Sequence, residues 1–309
     1  MVVTHGALSP HRQRHALTVG NFDGVHRGHA AMLARVVAQA RTLGVPSCVL
    51  TFEPHPREFF SPASAPSRLT RLREKLELLA RAGIERTHVA RFDAKLAGLA
   101  PERFIDQVLV AGLGVAWMLV GRDFRFGARR TGDFALLERA AANHGFALEA
   151  MPEVTEGGER VSSSAVRAAL AEGDLRRAEK LLGRPYTMSG RVVHGEALGK
   201  TLGFPTANIV LRRRAPMTGI FVVEAELEET RRRLRGAASI GTRPTVREHA
   251  QPLLEVHLLD YDGVLYGKHL RVTFLEKLRA EQKFDGLEAL RAAIAADVAR
   301  AREHFAEHG

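Results

Sequence analysis

GNFDGVHRGH, Gly20 to His29, decides how the first half of the chain is read. It follows the short apolar run His15 to Val19 and opens into Ala30 to Leu43, where Met32, Leu33, Val36, Val37 and Ala40 recur at helical spacing. The order is strand, glycine-rich turn, helix. Such a turn aims free backbone N–H groups and the positive end of the helix dipole at one point, which suits a phosphate. His26 and His29 are three residues apart, so they share a side of a helix that begins near them. Two imidazoles and a set of N–H groups then face one anion. A turn of this kind also occurs in parallel α/β proteins without binding anything, and it is Asp23 and the paired histidines that favour the phosphate. Zinc is the weaker reading: a structural site takes four ligands, and the single cysteine, Cys48, sits in the apolar strand Ser47 to Phe52.

Outward from that turn the pattern alternates. Strand-like runs fall at His15 to Gly20, Ser47 to Phe52, Thr87 to Phe92, Trp117 to Gly121 and Ala147 to Met151. Helical patterns separate them at Ala30 to Leu43, Leu69 to Ala82, Pro101 to Leu113 and Phe134 to His144. Strand alternating with helix predicts a parallel sheet with ligands at the carboxyl ends of its strands. The turn, TFEPHP (Thr51 to Pro56) and GRDFRFG (Gly121 to Gly127) all fall at such ends. Ser162 to Leu182 reads as two helices, with the serines of VSSSAVR (Val161 to Arg167) as an N-cap and Arg167 near the first turn.

After Gly183 the period changes. Apolar and polar residues alternate over Thr187 to His194, Gly219 to Leu227, Arg235 to Ile240, Leu253 to Leu259 and Leu270 to Phe274, and a long helix returns only at Gly286 to Phe305. Short strands punctuated by glycine and proline predict a small antiparallel barrel or sandwich carrying a C-terminal helix. The chain therefore divides near residue 185, into 1–185 and 186–309. Gly195 to Thr201, GEALGKT, resembles a P-loop but has only Glu196, Ala197 and Leu198 between its glycines, and Pro205 stands where the following helix would need an N–H. The glycine-rich loop can still place N–H groups, the Thr206 hydroxyl and the Asn208 carbonyl oxygen near phosphates and Mg²⁺; a turn leading into a strand explains it equally. Glu255 lies on the face of its strand opposite Leu254, Val256 and Leu258, where a carboxylate is ordinarily solvated. Asp260, Asp262 and Gly263 read as a turn, and FLEKLRAEQKF (Phe274 to Phe284) as a strand end followed by a surface helix.

The 309 residues allow two domains, each with its own core. One cysteine excludes an internal disulfide framework, no apolar run reaches the length of a membrane span, and the N-terminus lacks a signal-type apolar region, so the expectation is a cytoplasmic protein. The formal net charge of +10 favours anionic partners; lysine occurs at only seven positions, so the charge is mainly arginine. The runs Arg212 to Arg214 and Arg231 to Arg233 flank apparent loops without interleaved aromatics, which argues for a solvated face over a nucleic-acid surface.

GNFDGVHRGH, TFEPHP, GRDFRFG, VSSSAVR, GKTLGFPTANI, SIGTRPT, EVHLLDYDGVLYG and FLEKLRAEQKF stand in that order from about residue 15 to the C-terminal helix. With them the chain resembles the bacterial bifunctional riboflavin kinase/FAD synthetases. The resemblance implies an α/β nucleotidyltransferase-type, Rossmann-like N-terminal domain that transfers AMP from ATP to FMN, and a β-barrel C-terminal domain that phosphorylates riboflavin with ATP. Both reactions use a divalent cation, usually Mg²⁺. Expected partners are riboflavin, FMN, FAD and ATP; neither nucleic acid nor a membrane is expected, and self-association is left open.

Residue by residue, the resemblance places Asn21, Asp23 and Gly28 at the adenylylating turn, with His26 and His29 donating to ATP phosphates. It matches Ser164 and Arg167 to a second phosphate-binding segment, matches Asp123 and Phe124 to the nucleotide and flavin region, and sets TFEPHP beside the flavin. In the kinase it makes Glu255 the catalytic base, overturning the solvated-strand reading. Thr206 and Asn208 become Mg²⁺ and phosphate ligands, Gly199, Lys200 and Gly203 part of the nucleotide loop, and Arg279 a flavin-side residue. Lys200 stands where arginine is common and Val264 where an acidic residue is common. Two other readings compete: a lone nucleotidyltransferase with a noncatalytic barrel, and a basic RNA-binding protein.

Overall fold

The computed structural model describes residues 1–6, 13–195, 198–211, 213–242 and 252–308, apart from the side chains of Leu198, Lys200 and Thr242. Its contacts separate two units, Met1–Pro66 with Thr70–Ser162, and Ser67–Leu69 with Ser163–Gly309.

The first unit holds the expected parallel sheet. β1 (Val2–His5), β2 (His15–Val19), β3 (Ser47–Glu53), β4 (Arg86–Arg91), β5 (Val115–Gly121) and β6 (Ala147–Met151) lie in the order β1-β4-β3-β2-β5-β6. β2 is buried along its whole length because helices cover both faces. Its residues divide by the strand period: Leu17 joins Leu50, Met118, Leu109 and Leu137 on one side, while Ala16 joins Val49, Leu119, Leu33 and Leu79 on the other. Each fully buried leucine contributes about 1.5–3 kcal/mol. Two features go beyond the sequence reading. β1 is an added edge strand, short and largely exposed. The helix expected over 101–113 begins as Pro101–Phe104 and continues as a π-helix over Ile105–Gly112.

β2 pairs with β3 on one side and β5 on the other, and the chain runs outward through β3 and β4 before returning to β5. The carboxyl ends of β2 and β5 are thus the switch point of the sheet, where a crevice opens for a ligand. Gly20 follows β2 and Gly121 ends β5, so both turns meet there. A two-stranded hairpin, β7 (Thr155–Glu156) with β8 (Glu159–Arg160), completes the unit.

The second unit opens with the helices Ser163–Glu172 and Leu175–Leu182. β9 (Thr187–Arg191), β10 (Ala207–Val210), β11 (Gly219–Leu227), β12 (Arg232–Thr242), β13 (Pro252–Leu258) and β14 (His269–Arg279) follow as an antiparallel sheet in the order β10-β13-β12-β11-β14-β9. Val193 N–H donates to the Asn208 carbonyl at 2.8 Å, an antiparallel bridge that brings the end of β9 back to β10 and nearly closes the barrel. Phe221, Val223, Ala225 and Leu227 face inward on β11; Val222 is buried as well, because the C-terminal helix Leu287–His308 covers that outer face through Ala301 and Phe305.

One expectation fails here. No helix forms over 274–284: β14 runs on to Arg279, and residues 280–286 are irregular. Leu275 and Leu278 pack on the same outer cluster three residues apart, an interval that suits a helix and that a regular strand would split between its faces. The cause is irregular register against β11, with shifts at Ile220/Phe221 and Val222/Val223. The basic run Arg231 to Arg233 leads into β12, where Arg231 pairs with Glu226 at 2.8 Å and Arg233 approaches Glu224 at 3.5 Å. Aromatics absent from the local sequence are supplied in space, since Arg232 lies over Tyr261 and Arg235 over Phe305.

Candidate active sites

The first site grows from the turn after β2. Phe22 and Val25 adopt left-handed backbone, with φ of 48° and 40°, which costs roughly 1–2 kcal/mol per residue. Burial holds them there, because both side chains insert into the sheet-and-helix core. Asp23 is buried too; its Oδ1 accepts from the Thr70 N–H at 3.0 Å and from the Thr70 hydroxyl at 3.2 Å. Thr70 Oγ1 in turn accepts from Gly24 N–H at 3.1 Å. Asp23 therefore anchors the turn to a segment 47 residues away. Asp23→Ala is expected to lower stability by about 1–3 kcal/mol, since it leaves buried Thr70 donors unsatisfied; urea denaturation followed by circular dichroism measures it.

The turn ends by capping the helix Arg27–Leu43. His26 Nδ1 accepts from the His29 N–H at 3.3 Å, so its ring hydrogen is at Nε2. The His26 and His29 rings stack at 3.7 Å, and the Phe22 ring lies 4.9 Å from His29 at a tilt of 51°. Burial, then the neighbouring His26, then Lys75 hold the His29 pKa well below its ordinary 6.5. Neutral His29 has one N–H to donate and no proton to surrender. The unfolded chain takes up a proton on this group as pH falls through about 6.5 while the native chain does not, so stability drops on acidification. Wild type is expected to lose up to about 1.4 kcal/mol per pH unit more than His29→Gln below that point, measured by urea denaturation from pH 7.5 to 5.

Gly28 sits close to its neighbours: a Cβ there would lie 3.2 Å from the His26 ring, which would have to give by a few tenths of an ångström, and 3.6 Å from the Val161 carbonyl. The two histidines and Gly28 line a cavity of about 610 Å³ with Arg122, Asp123 and Arg160. Asp123 accepts from Arg160 at 3.0 Å and remains mostly exposed, whereas Phe124 turns inward and stacks on Phe126 at 5.5 Å. Asn21 Oδ1 and His29 Nδ1 are buried without a hydrogen-bond partner, two polar atoms at the same turn that a ligand can satisfy. TFEPHP leads into the short helix Pro56–Phe60, and Phe52, Phe59, Phe60 and Phe92 pack edge to face, leaving Phe60 64% exposed. Sequence reasoning missed Lys75, which is buried with its ammonium 3.4 Å from the Thr51 hydroxyl, and Arg160, on the hairpin. Nothing in the local pattern of either distinguishes it from a solvated cation.

The second site lies within the barrel unit, in a cavity of about 230 Å³ lined by Gly199, Thr206, Ser239, Glu255, Arg279 and Glu281. Antiparallel register puts Glu255 between Asn208 on β10 and Ser239 on β12. Asn208 Nδ2 donates to the Thr206 carbonyl at 3.2 Å, while its Oδ1 is buried with no hydrogen-bond partner. His257, also on β13, shares 2.9 Å between its Nδ1 and the Pro205 carbonyl and so ties the Thr206 loop to the strand. Gly199 is needed because a Cβ would come within 2.5 Å of the Phe204 carbonyl. The loop makes one helical turn, Leu198–Thr201, and then stops, as expected for a sequence that is not a P-loop. Gly203, with φ of 90°, follows that turn.

Arg279 reaches this cavity, but its guanidinium is held by Asp297 on the C-terminal helix, Nη2 to Oδ2 at 2.7 Å and Nε to Oδ1 at 3.0 Å. Glu281, which sequence reasoning did not single out, presents a second carboxylate; burial, then the charge of Glu255, push its pKa up. Ser164 and Arg167 lie on the helix Ser163–Glu172 in the second contact unit, where Arg167 Nε donates to the Ser67 carbonyl at 2.6 Å. The Lys200 side chain and Arg243 to Thr245 of SIGTRPT fall outside the described residues.

A histidine turn at a sheet switch point and a barrel cavity holding Glu255, Glu281, Thr206 and Ser239 are two candidate sites in separate units, the arrangement expected of a two-site transferase. The comparisons agree with that division. The family model for FAD synthetase matches residues 8–165 and the one for riboflavin kinase matches residues 182–305. The bifunctional riboflavin kinase/FMN adenylyltransferase of Pseudomonas fluorescens is 50% identical over 96% of this chain and 94% of its own. The enzyme of the same name from Escherichia coli K12 is also 50% identical, over 94% of this chain and 92% of its own. A crystal structure from Streptococcus pneumoniae, described as a macrolide-efflux protein, matches with a TM-score of 0.80 at 28% identity, covering 96% of this chain and 97% of that one.

The chain belongs to the bifunctional riboflavin kinase/FMN adenylyltransferase family. It is an enzyme with an FAD synthetase domain toward the N-terminus and a flavokinase domain toward the C-terminus. The lone-nucleotidyltransferase reading is thereby set aside. No helix among the described residues is long and apolar enough to cross a membrane.

Proposed function

We propose that residues 1–185 carry FMN adenylylation through the histidine turn and that residues 186–309 carry riboflavin phosphorylation through Glu255, as two independent sites. The family-model bounds and the separate cavities support this division. The carrying observation is the placement of side chains: the first cavity gathers His26 and His29 with Arg122 and Arg160 beside Asp123 and Glu153, whereas the second sets the Glu255 and Glu281 carboxylates beside the Thr206 and Ser239 hydroxyls.

The two nucleophiles explain that contrast. In adenylyl transfer an FMN phosphate oxygen, already anionic, attacks the ATP α-phosphorus while the bond to pyrophosphate breaks. No proton has to move, so the site needs charge stabilisation and alignment. His26 donates from Nε2, His29 from its single N–H, and the N–H groups at the start of the helix Arg27–Leu43 face the same phosphates. Asn21 supplies a buried acceptor beside them, Asp23 holds the turn through Thr70, and Asp123 with Phe124 borders the nucleotide and flavin. Ser164 and Arg167, on a helix of the other contact unit, are the residues that the resemblance matches to a second phosphate-binding segment.

Riboflavin attacks through a neutral ribityl hydroxyl, which gains from a positioned base. Glu255 takes that proton as the hydroxyl oxygen bonds the γ-phosphorus and ADP leaves. Gly199, Lys200 and Gly203 shape the nucleotide loop, and Arg279, fixed by Asp297, borders the flavin. The residues present fit a hard divalent cation: Asn208 Oδ1 is a buried acceptor without a hydrogen-bond partner, Asn208 pairs in register with Glu255, and the Thr206 hydroxyl and Glu255 carboxylate line one cavity. Thr206 and Asn208 would hold Mg²⁺, which when bound would supply neutralisation of phosphate charge.

Incubating the chain with riboflavin, ATP and Mg²⁺ and resolving products over time tests the reading. FMN is expected first and FAD after it. FAD formation from supplied FMN without any riboflavin phosphorylation would remove the kinase assignment; phosphorylation by a 186–309 fragment supports the proposed division.

A further inference from the structure

Glu281 brings a second carboxylate into the kinase cavity, beside Glu255. It belongs to the irregular stretch 280–286 between β14 and the C-terminal helix. Its carboxylate lies against Gly241 of β12, where a Cβ would overlap the carboxylate oxygens. Among the described residues no hydrogen-bond donor or cation engages that carboxylate, and the nearby Arg279 is already held by Asp297.

Strand register orders the groups on this face. Ser239 of β12 pairs with Glu255 of β13, which pairs with Asn208 of β10. Residues two apart along a strand share a face. One such step in one direction, Ala237 pairs with His257, and His257 Nδ1 shares 2.9 Å with the Pro205 carbonyl, which sets Thr206 and the glycine-rich loop at that end. One step in the other direction, Gly241 pairs with Leu253, and Glu281 sits on Gly241. The order along the face is therefore nucleotide loop, Glu255, Glu281. In an in-line transfer the attacking and leaving oxygens lie on opposite sides of the phosphorus, so the rest of the acceptor extends away from the nucleotide. For riboflavin that portion begins with the ribityl chain and its remaining hydroxyls. We propose that the Glu281 carboxylate accepts hydrogen bonds from those hydroxyls and so selects a flavin that carries a polyol; the inference rests on the assignment of Glu255 as the base. Burial, then the charge of Glu255, push the Glu281 pKa up. Hydroxyl donors suit a carboxylate so placed, because they replace the hydrogen bonds that burial took from it.

The test uses the full chain with ATP and Mg²⁺. It reads kcat/KM for riboflavin phosphorylation, together with inhibition of that step by lumiflavin, which has the isoalloxazine ring but no ribityl hydroxyls. Glu281→Ala is expected to lower kcat/KM for riboflavin about ten- to a hundredfold and to leave the lumiflavin inhibition constant within about twofold of wild type. Gly241→Ala keeps the carboxylate but pushes it off its seat, and is expected to act in the same direction. Adenylylation of supplied FMN, unchanged in both variants, verifies that the fold is retained. An unchanged kcat/KM for riboflavin in Glu281→Ala, or lumiflavin affinity that falls in step with it, would overturn the proposal while the Glu255 assignment stands. A wild-type chain that phosphorylates no riboflavin would remove that assignment and this inference with it.

Discussion

His29→Ala is expected to lower FMN adenylylation by about 10²–10³-fold while riboflavin is still converted to FMN, which then accumulates. Burial disfavours the charged imidazole, and the ring packs against both His26 and Phe22, so its orientation is set before the substrate arrives. A donor prepared in this way need not reorganise as charge builds on the ATP phosphates, and its loss raises the barrier directly. The kinase activity is spared because Glu255 and the oxygen donors around it belong to the other contact unit. Product analysis by chromatography with riboflavin, and separately with FMN, reads both steps. Loss of both activities with an unchanged circular dichroism spectrum would make the assignment of independent sites wrong.

Glu255→Gln is expected to give the opposite result: riboflavin phosphorylation falls by about 10²–10⁴-fold, and supplied FMN is still adenylylated. Glutamine keeps the size of the side chain and its place between Asn208 and Ser239 but cannot accept the ribityl proton. Burial of the strand is untouched, since Leu254 and Val256 make the core contacts on the opposite face. Glu281 shares the cavity, and in Glu255→Gln only burial still pushes its pKa up, because the Glu255 charge is gone. Near-normal phosphorylation in Glu255→Gln would transfer the base to another group, and Glu281→Gln would then show whether it is that one.

Much of the architecture was legible along the chain. A change of hydrophobic period, from strand alternating with helix to alternation alone, marks the passage from parallel sheet to barrel, because each period is a local consequence of backbone geometry. β11 was legible to its ends, Gly219 and Leu227, for that reason. β14 was not: irregular register lets Leu275 and Leu278, three residues apart, share one face, and only pairing with β11 decides that the segment is a strand. β1 was missed because an exposed edge strand carries little alternation.

The histidine turn, the glycine-rich loop and the order of the motifs are determined by sequence alone, since a turn and the helix it caps are made by consecutive residues. Who meets whom across the chain is a tertiary decision. Asp23 finds Thr70 at a separation of 47 residues, Asp123 enters the cavity of His26 and His29 because β5 lies beside β2, and Glu255 faces Asn208 by register across β10 and β13. Arg279 meets Asp297, and Glu276 meets His304, because the C-terminal helix returns over β14. Local periodicity tells a side chain which face it occupies; only the packed sheet and barrel supply the neighbour that gives that side chain its charge state and its work.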